Sequence, residues 1–385
     1  MKNYTMTATT LFGLEDVLAE ELKALGAMDV KKGVRSVSFV GDKGFMYKAN
    51  MSLRTAIRIL KPLKSFTARH EDELYNKIKK INWLEYINVQ GSFAINAVVN
   101  SKQFTSNSHY ISLKSKDAIV DLFREQLGKR PNIDLKHPDL RIHVHIFNQT
   151  CHVSLDSSGD SLHKRGYRDR TNIAPINEVL AAGMIMLSGY KGRRHFIDPM
   201  CGSGTILIEA AMIAANIPAN INRKEFGFEK WSDFDAELFE VIRQSLMRKI
   251  VNPTHKIMGF DKAPSAVVKA KENIKRANLE DFIKVYQLNF FETEKQLDGP
   301  TMILFNPPYG ERLQIDTHSF YKKIGDTLKQ HYPDTVVWFI TSDIQALKSV
   351  GLRTSRRLAL KNGNLDCKFV RYDMYAGSKK AKYKT

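Results

Sequence analysis

The chain has 385 residues and a net charge of +18, with 59 Lys and Arg against 41 Asp and Glu, which favours a polyanionic partner such as nucleic acid. Its three cysteines are far apart and form no CxxC pair, which argues against a zinc site or a disulfide framework and is typical of a reducing cytoplasm. The sequence contains no apolar run of about 18 residues, so we expect no membrane span.

The first 156 residues mix strand and helix patterns, which is typical of an α+β region. In chain order the patterns predict a strand at 4–10, a helix at 14–25, a hairpin at 29–41, a basic helix at 47–63, a helix at 72–87, a strand at 92–104, a helix at 117–128 and a hairpin at 140–156. This half is therefore expected to form one or two domains of its own.

A polar stretch that contains glycine and several charges, residues 157–172, is predicted to be a linker. After it the pattern alternates between strands and helices, which indicates an α/β domain with a parallel, doubly wound sheet. A short basic tail at 378–385 ends the sequence.

The segment HFIDPMCGSGTILIEAA carries the first site signal of this second half. It predicts a strand that ends at Asp198, a turn with Gly202 and Gly204, and an apolar helix from Thr205. Glycines let the backbone approach a ligand, and such sheets bind ligands outside the carboxyl ends of their strands. An acid before the turn and the absence of a Gly-Lys-Ser/Thr sequence favour S-adenosylmethionine over a diphosphate. Cys201 is expected to pack in the core, since no histidine is placed to activate it.

A second acid, Asp261, follows the next predicted strand in the segment HKIMGFDKAP. An acid at this point of a doubly wound sheet commonly binds the hydroxyls of a ribose. The alternative for Asp261 is a helix N-cap.

The segment ILFNPPYGERL places an amide, two stiff prolines and an aromatic ring directly after a buried strand. The side-chain oxygen of Asn306 and the carbonyl of Pro307 are two acceptors that can bind both hydrogens of a planar amino group. Binding these hydrogens out of the ring plane favours the tetrahedral amine that attacks a methyl carbon. Pro308 fixes the backbone, and Tyr309 can stack on a base. A plain strand-terminating turn is the alternative.

In this order, DPMCGSGTILIEAA, GFD and FNPPYGERL resemble class I S-adenosylmethionine-dependent methyltransferases that modify exocyclic amines. The N-terminal half resembles a ferredoxin-like segment followed by a THUMP domain, an RNA-binding module. With HKRGYRDRTNIAPINEVLAA at the junction, the chain is similar over nearly its full length to bacterial guanine-N2-methyltransferases of large-subunit (23S) ribosomal RNA, in the form with one methyltransferase domain.

This resemblance implies a domain division and a cofactor. The implied regions are a ferredoxin-like segment at 1–60, a THUMP domain at 61–156, the linker at 157–172 and a Rossmann-like class I methyltransferase domain at 173–377. The implied cofactor is S-adenosylmethionine, and the implied partner is 23S ribosomal RNA or its assembly intermediate. No metal is required by this chemistry.

The resemblance also implies roles for individual residues. Those implied to bind the cofactor are Asp198, Pro199, Cys201, Gly202, Gly204, Thr205, Asp261 for the ribose, Asn289 and Asn306. Those implied to receive the base are Asn306, Pro307, Pro308 and Tyr309, and the helix with Pro175, Asn177 and Glu178 is implied to cover the cofactor. At Asn289 the family often has an acid near the adenine amine; an Asn can still accept from that amine.

Basic residues in the N-terminal half and at the junction are candidates for contacts with RNA phosphates. They are Lys61, Lys64, Arg69, Lys164, Arg165 and Arg168. Three alternatives share the Asn-Pro-Pro-Tyr signal or the charge: an adenine-N6-methyltransferase of nucleic acid, a protein glutamine methyltransferase, and a non-catalytic factor that binds ribosomal RNA. The THUMP-like half favours RNA over protein, and an intact Asn-Pro-Pro-Tyr argues against a purely binding role. Guanine, as opposed to adenine, follows from the resemblance alone.

Overall fold

The computed structural model describes residues 2–102, 104, 107–168, 175–308 and 316–376. An eight-stranded sheet occupies the N-terminal half and a seven-stranded sheet the C-terminal half. No helix in these ranges combines the length and the apolar character needed to cross a membrane.

The described residues of the N-terminal half form eight strands and four α-helices. They are β1 (Tyr4–Thr9), α1 (Glu15–Leu25), β2 (Met28–Gly33), β3 (Ser36–Gly41), α2 (Lys43–Ser52), β4 (Arg58–Thr67), α3 (Glu71–Lys79), β5 (Ser92–Asn100), α4 (Ser108–Leu127), β6 (Asn132–Ile133), β7 (Leu140–Phe147) and β8 (Thr150–Asp156). The strand order is β2-β3-β1-β4-β8-β7-β5-β6. The sheet is continuous, so the expected boundary at residue 60 falls inside β4, and the domain limits stay a prediction.

The helix predicted at 47–63 is wrong in its second half. Helix α2 ends at Ser52, and residues from Arg58 onwards form β4, which pairs with β1 on one side and β8 on the other. The apolar residues of this segment are compatible with a helix or a strand, and it forms a strand because its backbone pairs with a neighbouring strand on each side. Pro62 is accommodated because the pairing with β8 shifts register between Pro62 and Lys64.

In the described ranges of the C-terminal half there are seven strands and five α-helices. They are α5 (Glu178–Leu187), β9 (His195–Asp198), α6 (Thr205–Ala214), α7 (Ala236–Met247), β10 (Ile257–Asp261), α8 (Pro264–Arg276), β11 (Ile283–Gln287), β12 (Thr301–Phe305), α9 (Thr317–His331), β13 (Thr335–Thr341), β14 (Arg356–Asn362) and β15 (Leu365–Asp373). The order is β11-β10-β9-β12-β13-β15-β14, and only β15 runs antiparallel to its neighbours. This confirms the predicted doubly wound α/β sheet, whose order reverses between β9 and β12.

The segment between α6 and β10 packs against the N-terminal half of the chain. Phe226 and Phe228 belong to the same hydrophobic core as the first sheet, and Tyr47 of α2 stacks on Phe228 with ring centroids 4.4 Å apart. The side chain of Asn220 donates a hydrogen bond of 2.8 Å to the carbonyl of Asn50. The two halves therefore share one apolar interface, which sets their relative position.

The expected linker is packed rather than exposed over its described part, residues 157–168. Leu162 and Tyr167 are fully buried. The guanidinium of Arg223 donates four hydrogen bonds of 2.8–3.1 Å to carbonyls of this segment, those of Ser158, Asp160, Ser161 and Lys164. The polar sequence is explained by these backbone bonds, because a buried loop must satisfy its carbonyls.

Candidate active site

Four predicted site residues lie at the carboxyl edge of the second sheet. Asp198 and Asp261 are the last residues of β9 and β10, Asn289 follows β11 by two residues, and Asn306 directly follows β12. These strands are parallel neighbours, and all four residues line one cleft of about 900 Å³. We call this the cofactor cleft; it lies at the point where the strand order reverses, the usual ligand site of such sheets.

Asp198 is a buried acid without an ion pair to any described cation. Its Oδ1 accepts a hydrogen bond of 3.2 Å from the N–H of Met200, and the residue is 1% exposed. Burial, and to a smaller extent the charge of Asp261, raises the pKa of Asp198 well above its ordinary value. A carboxylate in this position is compensated when a ligand supplies a cationic group.

The glycine turn is held by the second acid. The N–H of Gly202 donates 2.9 Å to Oδ2 of Asp261, and the N–H of Ala263 donates 2.9 Å to Oδ1. Gly202 has φ 52° and a Cβ there would project into open space, whereas Gly204 has φ 81° and a Cβ there would lie 3.3 Å from Ala270. Both positions favour glycine, because the backbone is left-handed and, at Gly202, borders the cleft.

We expect Asp261→Ala to weaken the affinity for S-adenosylhomocysteine by about tenfold to a hundredfold, the range for losing charge-assisted hydrogen bonds. The expected loss has two sources, the hydrogen bonds that Asp261 is predicted to accept from the ribose and the freed N–H of Gly202. Calorimetry measures it, with Asp281→Ala as the control, since Asp281 is exposed before β11 at the opposite edge of the sheet. An affinity equal to that of the wild type would remove Asp261 from the cofactor site.

Cys201 packs beneath the turn, as its sequence context indicates. It is 7% exposed, and its N–H donates 2.9 Å to the carbonyl of Phe260. Its side chain lies against Gly259, where a Cβ would come within 3.0 Å of the cysteine Cβ. Burial raises the pKa of the Cys201 thiol, so no thiolate nucleophile forms at neutral pH.

Asn306 carries a buried polar atom without a hydrogen-bond partner in the described part of the chain. Its Oδ1 is buried, and no donor among the described residues lies within hydrogen-bond distance. Asn306, Pro307 and Pro308 line the cofactor cleft, whereas Tyr309 lies outside the described residues. Buried carbonyl oxygens in proteins are nearly always hydrogen-bonded, so this one indicates a ligand donor.

Asn289 lies on the opposite wall of the cleft and is partly engaged within the protein. Its Oδ1 accepts from the N–H of Phe291 at 3.3 Å, and its Nδ2 donates 2.7 Å to Glu292. One lone pair of the oxygen remains for a ligand amine. Phe290 and Phe291 line the cleft beside it, an apolar wall that the sequence interpretation did not include.

Two residues that were predicted to bind the cofactor, Pro199 and Thr205, line the cleft. Phe320 and Lys323 of α9 also line it, although the sequence did not predict them. No motif marks α9 as part of the site, because its contribution depends on how the helix packs after the Asn-Pro-Pro-Tyr segment. Among the described residues, no group of three or more His, Cys, Asp or Glu side chains is arranged to hold a metal ion.

The segment that the resemblance implies to cover the cofactor borders the cleft with the residues just before helix α5. Pro175 and Ile176 line the cleft. Asn177 caps α5 by accepting 2.9 Å from the N–H of Val179. Glu178 faces the junction instead, where its Oε1 is 2.9 Å from the guanidinium of Arg168. The first turn of α5 therefore joins the cleft to the junction between the halves.

Of the six basic residues expected to contact RNA, four keep a surface position. Lys64, Arg69 and Lys164 are exposed, and Lys61 is partly exposed with its ammonium 5.0 Å from the ring centroid of Tyr4. Arg168 is mostly buried, pairs with Glu178 and donates to the hydroxyl of Thr205. The role of Arg168 is thus to hold the turn before α6, which leaves little of its charge for a phosphate.

The expectation that Arg165 contacts RNA is wrong. Its side chain is fully buried, and its Nε lies 3.2 Å from Glu209 of α6, which is also fully buried. The remaining guanidinium hydrogens go to carbonyls of Leu162 and Arg54 and to the side chain of Asn220. Arg165 joins the junction to both halves of the chain through these buried contacts.

Arg165→Ala should therefore lower the free energy of unfolding by about 3–5 kcal/mol, since it leaves Glu209 buried without a counter-charge. The neighbouring Lys164→Ala, at an exposed position, should change it by less than about 0.5 kcal/mol. Urea unfolding followed by circular dichroism measures both. Equal midpoints for Arg165→Ala and the wild type would contradict the buried pairing.

Three family models match the chain. Residues 165–371 match the family described as RMKL-like, methyltransferase domain, residues 68–156 match the THUMP domain, and residues 5–60 match the RlmL ferredoxin-like domain. These matches confirm the predicted combination of a class I methyltransferase fold with ferredoxin-like and THUMP regions.

Relatives cover the chain over nearly its whole length. The protein slr0064 of Synechocystis sp., named by inference as an RNA methyltransferase, is 35% identical over 371 residues, 96% of each chain. The ribosomal RNA large subunit methyltransferase K/L of Syntrophotalea carbinolica is 34% identical over 379 residues, 95% of this chain and 53% of that protein. The chain thus spans about half the length of the K/L relative.

A solved structure agrees with the fold. SMU.472, an inferred methyltransferase crystallised with SAH, superposes with a TM-score of 0.87 at 30% identity and covers 98% of this chain and 100% of that chain. With a family model over more than half of the chain and relatives above 30% identity, the chain belongs to the RMKL-like methyltransferase family.

Proposed function

We propose that this protein transfers a methyl group from S-adenosylmethionine to the exocyclic N2 of a guanine in large-subunit (23S) ribosomal RNA. The observation that carries the proposal is that one cleft contains the buried Oδ1 of Asn306, which has no hydrogen-bond partner among the described residues, and the buried carboxyl of Asp198, which has no ion pair with a described cation. The amide oxygen of Asn306 suits a hydrogen of an amine, and the carboxyl of Asp198 suits an ammonium group. The THUMP match, the net charge of +18 and the names of the K/L relatives support RNA as the substrate. An RNA substrate of this kind would place the enzyme in the cytoplasm.

The residues of the cleft fit S-adenosylmethionine, which supplies an electrophilic methyl group on a sulfonium. In this proposal Asp198 binds the ammonium of the methionine portion, and Asp261 accepts from the ribose hydroxyls. Asn289 accepts from the adenine amine beside the apolar wall of Phe290 and Phe291. The glycine turn lets the backbone border the ligand closely.

The target base would be bound by the segment that follows β12. The Oδ1 of Asn306 and the carbonyl of Pro307 accept the two hydrogens of the N2 amine. An aromatic amine is a weak nucleophile because its lone pair is delocalised into the ring. Holding its hydrogens out of plane concentrates the lone pair toward the methyl group, so the assistance acts mainly in the transition state. The proton then leaves to solvent, and positioning supplies most of the rate.

The same pair of acceptors also suits the N6 amine of adenine, and a binding-only factor could retain the fold. The test is transfer of labelled methyl groups to ribosomal RNA from a strain that lacks the protein, followed by mass spectrometry of the nucleosides. Labelled N2-methylguanosine would support the proposal, whereas labelled N6-methyladenosine would identify adenine and not guanine as the target base. Binding of RNA and cofactor without any transfer would support the non-catalytic factor instead.

A further inference from the structure

A second cavity, of about 740 Å³, lies between the N-terminal half and the methyltransferase domain. Its walls are the loop before β7, residues 159–168 of the junction and residues 223–230. We call it the junction cavity. Eight cationic and four acidic side chains line it, which leaves an excess of four positive charges, counting histidines as neutral.

The acids of the junction cavity are already paired. Asp160 pairs with Lys164 at 3.1 Å and Glu178 with Arg168 at 2.9 Å. Lys230 forms ion pairs with both remaining acids, Glu225 at 3.4 Å and Asp139 at 4.0 Å. Arg165 pairs with Glu209, which lies outside the cavity. The cavity cations that have no ion pair with a described carboxylate are therefore Lys136, Arg141, Arg223 and Lys224.

Arg141, the second residue of β7, is the least satisfied of these cations. Within the described part of the chain its guanidinium makes two long hydrogen bonds of 3.4 Å, to the carbonyls of Leu135 and Lys136, and its Nε is buried without a described partner. Burial, followed by the positive charge of Arg58, lowers the pKa of Arg141. An anion bound at the guanidinium would offset both effects, because an opposite charge favours the charged form.

Arg223 faces the same cavity from the methyltransferase domain. Its terminal nitrogens are engaged by junction carbonyls, but its Nε is buried and has no described partner, and its charge meets no carboxylate in an ion pair. Burial lowers the pKa of Arg223 to about 10. Two guanidinium groups that form no ion pair with a described carboxylate thus line one cavity, with the exposed Lys136 and Lys224 at its edge.

The junction cavity adjoins the cofactor cleft. Pro175 lines both. Arg168 lines the junction cavity, and its guanidinium donates to the hydroxyl of Thr205, which lines the cofactor cleft. A ligand seated at the junction is therefore next to the pocket in which the base would react.

We propose that the junction cavity binds a backbone phosphate of the RNA whose base enters the cofactor cleft, with Arg141 as its main ligand. The inference rests on the proposed function and deepens it. Guanidinium groups match phosphate oxygens in charge and geometry, and a phosphate contact positions the strand without reading its sequence. Because the two halves share an apolar interface, this contact sets a fixed spacing between RNA bound by the THUMP side and the base that reacts.

The test is filter binding of unmodified, in vitro transcribed large-subunit ribosomal RNA over a range of salt concentrations. Arg141→Gln should weaken binding about tenfold and reduce the slope of log affinity against log salt by about one. In transfer assays it should raise KM for RNA and leave kcat and the affinity for S-adenosylhomocysteine near wild-type values. Arg193→Gln is the matched control, since Arg193 is exposed before β9 at the opposite edge of the sheet.

The double variant Lys136→Gln/Lys224→Gln, at two exposed positions, carries the test if Arg141→Gln fails to fold, and should likewise lower affinity and salt slope. Wild-type affinity and salt slope in the folded variants would overturn the phosphate site and leave the proposed function intact. A wild-type protein that neither binds nor methylates ribosomal RNA would overturn both.

Discussion

Asn306→Ala is expected to reduce methyl transfer by about 10²- to 10³-fold, the effect of removing one acceptor or donor that acts in the transition state. The loss should be in kcat, because the amide oxygen has no described partner in the free protein and faces the cofactor cleft. Single-turnover transfer of labelled methyl groups to RNA at saturating cofactor measures it.

Fold and cofactor binding should survive in Asn306→Ala, since no described hydrogen bond to Oδ1 is lost. Its unfolding midpoint and its affinity for S-adenosylhomocysteine should match those of the wild type. Asn289→Ala is the contrasting variant: it should weaken cofactor binding but keep most of the rate at saturating cofactor, because Asn289 lies on the other wall of the cleft. Transfer at the wild-type rate by Asn306→Ala would refute the role assigned to this residue.

Asp198→Asn is expected to weaken the affinity for S-adenosylhomocysteine by about a hundredfold or more, since breaking a buried ion pair costs several kcal/mol. The same change should leave the ligand-free protein equally stable or more stable. The buried carboxyl has no ion pair with any cation in the described ranges, and an amide oxygen can still accept from the N–H of Met200. Calorimetry and thermal unfolding measure the two opposite effects.

The ligand 5′-methylthioadenosine separates the role of Asp198 from a general disturbance of the cleft. It lacks the amino acid portion, so it should bind Asp198→Asn and the wild type equally. If both ligands weaken by the same factor, or if neither weakens, Asp198 does not bind the ammonium group.

The pH dependence of cofactor binding should have the same origin. Burial raises the pKa of Asp198 in the free protein, and only the ionised carboxyl pairs with an ammonium group. Below the raised pKa, binding must therefore release a proton, and affinity should fall as the pH falls. Asp198→Asn should abolish this dependence, and a slope that persists in the variant would assign it to another group.

The chemistry-bearing residues of the second half could be predicted because each follows a strand pattern by a fixed, short interval. Asp198, Asp261 and Asn306 end or follow parallel strands, and parallel neighbours bring their carboxyl ends to one edge. The contributions of Phe320 and Lys323 could not be predicted, because no local pattern states which face of α9 meets the cleft.

The basic residues at the junction show the limit of the same approach. Arg165 and Lys164 are adjacent in the sequence and were assigned the same role, yet one is fully buried against Glu209 and the other is exposed. The sequence shows that a residue is charged, but it does not show which partners in the folded protein neutralise that charge.

By itself the sequence determined the two-part architecture, the doubly wound sheet and the residues at the carboxyl ends of its strands, because hydrophobic periodicity and short motifs are local properties of the chain. The tertiary structure alone decided that residues 58–63 are a strand, that the expected linker is packed, and which cations keep an unpaired charge. The pairing of β4 and the burial of Arg165 depend on partners distant in the sequence, such as Glu209, which is 44 residues from Arg165. No local pattern contains such partners.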